Sequence, residues 1–251
     1  MEKKQLLSFH GKQEIKDKYV ARVKAHAIAD EIVKGQYWDN GKGCAVGCTI
    51  HDSNHGSYET ELGIPRIIAR LEDRIFEGLP NAEAKEFPLQ FLSCIPVGVD
   101  LKNVWREFMV WLLVDEKTGV IRHAKTEQTK EAIIKVADMF KKSLTEEISQ
   151  KELNEVRAIA RTSYAAADAA AADAYAAAYA AAADADAAYA AAAAAAAADA
   201  AYADAAAAAA ADADAAYADA AAAAAAAKKE ARFARYVGMK NKLIELLSNA
   251  K

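Results

Sequence analysis

Apolar residues recur at helical spacing through the first half of the chain. Between Lys12 and Lys34, Ile15, Tyr19, Val23, Ile28 and Ile32 return every four or five residues, which predicts a helix ending before Gly35. Pro65 opens a second predicted helix, whose stripe of Ile67, Ile68, Leu71 and Ile75 stops before Gly78 and Pro80. A third apolar stretch, Phe87 to Ile95, is bounded by Pro96 and interrupted at its start by Pro88. Residues 101–114 place Leu101, Val104, Trp105, Phe108, Trp111 and Leu112 on a broad face that suits a central core helix. Ile133, Ile134, Val136, Met139 and Phe140 continue the pattern between Lys130 and Ser143, after which Thr145 is a predicted N-cap followed by Glu146 and Glu147. Strand-like alternation is lacking; the turn at Glu116–Gly119 leads at most into a short strand at Val120–Arg122.

The second half has a different composition. Residues 165–227 contain nine Asp, five Tyr and otherwise only Ala, and the thirteen letters at 199–211 return at 214–226. Alanine is the best helix former, and only Gly238 among the eleven glycines, with none of the four prolines, lies beyond residue 120. The predicted class is therefore all-α. An N-terminal helical domain over residues 1–145 precedes an alanine-rich region over 146–251, expected as one very long helix. The tract alone would span roughly 95 Å at 1.5 Å per residue. The alternative is a folded-back bundle with corners at Asp184–Asp186 and Asp212–Asp214, where aspartate serves as an N-cap. Tyr and Asp recur at separations of eleven (Tyr164/Tyr175, Asp173/Asp184) and then fifteen (Asp199/Asp214, Tyr202/Tyr217). Both periods exceed 3.5 residues per turn, so a supercoil would be straight or right-handed; a tandem duplication explains the spacing equally well.

Charge separates the halves further. The tract carries −9 against −4 for the whole chain, which leaves +5 for everything else. That excess is too small to indicate nucleic-acid binding, and the acidic tract would repel phosphate. The spaced aspartates argue against membrane insertion, since one central Asp costs about 2.5–3.5 kcal/mol. The start of the chain, MEKKQLLSFHGK, has charge without the apolar core of a secretory signal. Three cysteines do not make a disulfide framework, which favours a reducing, cytoplasmic setting.

Reactive residue types concentrate at 40–55, NGKGCAVGCTIHDSNH, as Cys44-x3-Cys48-x2-His51-x3-His55. On a continuous helix all four side chains would share a face, but over roughly 16 Å, so one zinc ion needs a bend to collect them. Gly47 and Asp52–Asn54 offer weak helix for that bend. A second zinc set joins His51 and His55 with Glu59 or Glu61, and His26 is a further contributor. Alternatively Cys44, entering a helix behind Gly41 and Gly43, is a nucleophile with His51 or His55 as base and Glu61 or Asp52 as orienting acid. The plain alternative is a pair of small buried cysteines at a helix junction, with both histidines in local hydrogen bonds.

The stretch GKGCAVGCTIHDSNHGSYETELGIPRIIARLEDRIFEGLP, with SFHGKQEIKDKYVARVKAHAIADEIVKGQ before it and FLSCIPVGVDL after it, resembles a family of bacterial and phage-associated proteins. Members pair such an N-terminal region with an alanine-rich C-terminal half. The resemblance covers about residues 8–115 and implies an architecture but no catalytic residues. Its members carry Trp, Ser or Arg between the alanines, where this chain carries Tyr and Asp. The expectation is a non-enzymatic binding or scaffold protein that forms a homo-oligomer through the alanine-rich helix, with a protein partner as a further use. Activity at Cys44, Cys48, His51 and His55, or phage-encoded inhibition of a host defence system, are the alternatives.

Overall fold

The structure is a computed structural model and describes residues 6–166 and 216–251. It is all-α, as the distribution of glycine and proline predicts. The elements are α1 (Gln13–Ile28), a two-stranded hairpin of β1 (Trp38–Asp39) and β2 (Lys42–Gly43), α2 (Ala45–Ile50), α3 (Arg66–Gly78), α4 (Asn81–Cys94), α5 (Val104–Val114), α6 (Glu127–Lys142), α7 (Gln150–Ala166) and α8 (Ala216–Ser248). Most of the alanine tract, with the corners proposed at Asp184–Asp186 and Asp212–Asp214, lies outside the described residues. So does the choice between a single rod and a bundle. Among the described residues, no helix is long and apolar enough to cross a membrane.

Backbone contacts divide the chain into two units, Met1–Phe108 with Tyr236–Lys251, and Met109–Arg235. The boundary that composition suggests, at residue 145, falls inside the second. In the first unit α1 packs on α2 and α4, and α3 packs on α2 and α4. Of the predicted α3 stripe, Ile68, Leu71 and Ile75 are buried and Ile67 is half-buried, with Pro65 at the N-cap. Phe87, Phe91 and Leu92 of α4 are buried with them. The C-terminal end of α8 contributes Tyr236, Met239, Leu243 and Leu247 to this core, a three-four-four spacing that forms one helical stripe. Lys240, on the same turn, is held by an ion pair to Glu83 of α4.

Two element boundaries in this unit differ from expectation. α1 stops at Ile28, six residues before Lys34, and leaves Ile28 77% exposed. Asp30 adopts a left-handed conformation (φ 56°), after which Val33 N–H donates to the Gly43 carbonyl and Gly43 N–H to that of Glu31. The chain exchanges its last helical turn for extended pairing with β2, which buries Ile32. In α4, Pro88 lies inside the helix and not at its start, and the element reaches back to Asn81. An interior proline costs about 3 kcal/mol or more. Burial of Ala84, Phe87, Phe91 and Leu92 around it holds the helix together.

In the second unit α6 packs on α7 and on the short 3-10 turn Val120–His123. That turn replaces the strand expected at Val120–Arg122: Asp115 Oδ1 accepts from the backbone N–H of Lys117 and Thr118, and the chain coils tightly from there. Ala132, Ile133, Val136, Ala137, Met139 and Phe140 are buried, whereas Ile134 lies off the stripe and is 42% exposed. α6 begins earlier than Lys130 because Thr126 Oγ1 accepts from Thr129 N–H. α7 is capped not by Thr145 but by Ser149, whose hydroxyl accepts from Glu152 N–H while Glu152 accepts from Ser149 N–H. This reciprocal pair is a capping box.

Candidate functional site

The Cys/His segment sits where α1, the hairpin, α2 and α3 meet. Asn40 (φ 50°) and Gly41 (φ 84°) both lie in the left-handed region, which makes the two-residue hairpin turn suited to right-twisted strands. The hairpin returns the chain so that Cys44 N–H donates to the Gln36 carbonyl at 2.7 Å. A Cβ on Gly47 would lie 1.4 Å from the Tyr37 carbonyl oxygen, so only glycine lets the backbone of residues 37–38 lie against α2.

Cys44 is the N-cap of α2, as the glycine-led entry predicts, and its Sγ accepts from Gly47 N–H at 3.5 Å. The expected activation of the thiol does not follow. Cys44 is 1% exposed, and burial, reinforced by the negative charge of Asp73, pushes its pKa well above the ordinary thiol range. Cys48 donates its Sγ–H to the Gly43 carbonyl at 3.3 Å, and burial pushes it up to about 12. Both sulfurs are protonated core groups. Neither is expected to react with a thiol reagent in native buffer near neutral pH, and both should react once denaturant is added. Rapid native labelling of either would show that an accessible thiolate exists.

The two histidines go to different partners. α2 ends at His51, which takes the left-handed conformation (φ 56°), so His55 is no longer on the same helix. The His51 ring stacks on Trp38 at 4.1 Å between centroids and 13° between planes. Its Nε2 lies 2.8 Å from Nε2 of His26, one donating and the other accepting. His26 Nδ1 in turn lies 2.6 Å from Glu31 Oε2. Burial, then the nearby charges of Arg22 and His26, lower the His51 pKa and favour its neutral form. His55 Nε2 instead meets Asp73 Oδ2 at 3.1 Å, and the same oxygen accepts from the Tyr37 hydroxyl at 3.3 Å.

The four predicted residues are thus divided between two networks. Asp73 lies beside Cys44 and binds His55; Glu31 accepts the weak Cys48 S–H contact with its carbonyl (3.7 Å) and binds His26, the partner of His51. The acids expected to complete the site are engaged elsewhere. Glu59 accepts from Arg66 N–H at the start of α3, Glu61 accepts from the Tyr19 hydroxyl, and Asp52 accepts from Ser53 N–H. Among the described residues, no three His, Cys, Asp or Glu side chains gather to hold a metal ion. Glu31, Trp38, Tyr37 and Asp73 are the participants that local spacing did not bring in. The chain matches no known protein-family model, no curated protein and no solved structure.

Proposed function

We propose that the chain is a non-enzymatic binding or scaffold protein that assembles with copies of itself through its alanine-rich helix. The observation that supports this reading is in α8. Its C-terminal end is buried through Tyr236, Met239, Leu243 and Leu247, while residues 225–230 are exposed at every position. Six successive helical residues point in all directions around the axis, so this stretch, AAAKKE, is left uncovered on every side among the described residues. An alanine surface allows helix axes to approach closely, and a second copy supplies a matching surface. The buried, protonated thiols favour a binding role over thiol chemistry. The absence of a membrane-length helix among the described residues, together with three unpaired cysteines, supports a cytoplasmic location.

Light scattering on the full chain tests the assembly. One chain weighs 26.8 kDa, and the expected mass is a multiple of it that rises with concentration. A constant single-chain mass at high concentration would remove the reading.

A further inference from the structure

We propose that His26 and His51 form a two-histidine site for a borderline divalent transition-metal ion, Zn²⁺ or Cu²⁺, oriented by Glu31 and completed by solvent. The inference does not depend on assembly through the alanine-rich helix. Its basis is the convergence of two imidazoles from separate segments, one on α1 and one at the end of α2, with their Nε2 atoms 2.8 Å apart.

Each ring is already supported for this role. Glu31 takes the Nδ1–H of His26 at 2.6 Å, and this leaves Nε2 on the far side of the ring to serve as the ligand atom. A carboxylate on the far nitrogen of a ligating histidine is the usual outer support of such a site, since it fixes the tautomer and raises ligand basicity. His51 is held by its stack on Trp38 and by its left-handed backbone, where its N–H donates to the Gly47 carbonyl at 2.8 Å. Both rings direct Nε2 into the same gap, and with the proton between them moved to Nδ1 of His51 each presents an Nε2 lone pair there.

The rings meet head-on, with centroids 5.1 Å apart, so a metal ion needs both to swing as well as to part. Metal–nitrogen bonds of about 2.0–2.1 Å in tetrahedral geometry set the two nitrogens roughly 3.3 Å apart, against 2.8 Å here. His51 is exposed, which leaves room for water ligands. The buried thiols take no part, so the site belongs to imidazole chemistry and selects Zn²⁺ or Cu²⁺ over Mg²⁺ or Ca²⁺.

Calorimetric titration of Zn²⁺ into the full chain near neutral pH tests the assignment. One saturable site per chain is expected, abolished in His26→Ala and in His51→Ala and retained in His55→Ala. Glu31→Gln, which keeps the shape of the side chain, should weaken binding about 10–100-fold. With Cu²⁺ as probe, quenching of tryptophan emission should be saturable and should lose most of its amplitude in Trp38→Phe, because Trp38 lies against the metal-binding ring. Absence of saturable binding overturns the proposal, as does full affinity in His51→Ala or loss of binding in His55→Ala. Wild-type affinity in Glu31→Gln would overturn the orienting role of that carboxylate.

Discussion

Glu72→Leu is expected to remove a penalty that the native protein suffers as pH rises. Glu72 lies on α3 with no exposed surface; its Oε2 meets the Tyr58 hydroxyl at 2.7 Å, and its Oε1 has no hydrogen-bond partner among the described residues. Burial, with a smaller contribution from the charge of Asp73, raises its pKa well above the carboxylate range. The folded chain therefore retains a proton that the unfolded chain releases once pH passes the ordinary glutamate value of about 4.3. Above that point, and up to the raised folded value, this group lowers stability by about 1.4 kcal/mol per pH unit. Leucine has no proton to retain.

The comparison is best made as a difference between the two proteins. Denaturant unfolding at a series of pH values should give curves that diverge, the leucine variant gaining about 1.4 kcal/mol on the native chain for each unit in that window. His51 and His123, whose pKa values are lowered chiefly by burial, work in the opposite direction because they gain stability as pH rises. Glu77, raised by burial, works in the same direction as Glu72. All three are present in both proteins and cancel in the difference. Loss of the Tyr58 contact costs about 1 kcal/mol at every pH and shifts the offset, not the slope. Thr49 lies within side-chain hydrogen-bond reach of Tyr58 and can take over its hydroxyl. Parallel curves would mean that Glu72 is already ionised in the folded state.

The helical architecture was legible wherever sequence signals and packing agree. Pro65 and Gly78 bracket α3, and the buried positions Ile68, Leu71 and Ile75 follow from spacing alone. Two further features had local signals of their own: Asn40–Gly41 marks the hairpin turn, and Ser149 with Glu152 marks the cap of α7. The end of α1 had no such signal. Asp30 turns left-handed because residues 31–33 gain backbone partners on Gly43, a contact between segments that helical periodicity does not encode.

The site shows the same limit more sharply. The segment Cys44–His55 was visible as a cluster of reactive types, and the entry into a helix at Cys44 was correct. Its chemistry was not visible, because each group is defined by a partner from elsewhere: His26 and Glu31 for His51, and Asp73 for His55. Spacings of four, three and four would put the group on one face of a continuous helix, yet α2 is only six residues long and His51 is its C-cap. A helix N-terminus lowers a thiol's pKa only where charge can be solvated or paired. At Cys44, burial outweighs the backbone N–H groups of Val46 and Gly47 that pull the other way.

Gly78→Ala is expected to destabilise the protein through a single aromatic ring, and the sign of the effect should depend on that ring. A Cβ at Gly78 would lie 2.1–2.2 Å from three atoms of the Tyr236 ring, which is fully buried with the Arg74 guanidinium 6.0 Å from its centroid. Gly78 is the last residue of α3 and does not need a positive φ. Alanine is therefore conformationally acceptable there and on helix propensity alone would stabilise by up to about 1 kcal/mol. Overpacking in a filled core costs about 1–3 kcal/mol, and here the obstruction is a ring anchored by its whole helix, so the clash wins. Tyr236→Ala, which empties the space, should itself cost about 3–5 kcal/mol, as large aromatic truncations do. In that background the added methyl at position 78 meets no ring and partly fills the cavity, so Gly78→Ala should become neutral or stabilising. Unfolding free energies of the four proteins give the coupling directly. Equal destabilisation by Gly78→Ala in both backgrounds would show that the Tyr236 ring is not what requires a glycine at the end of α3.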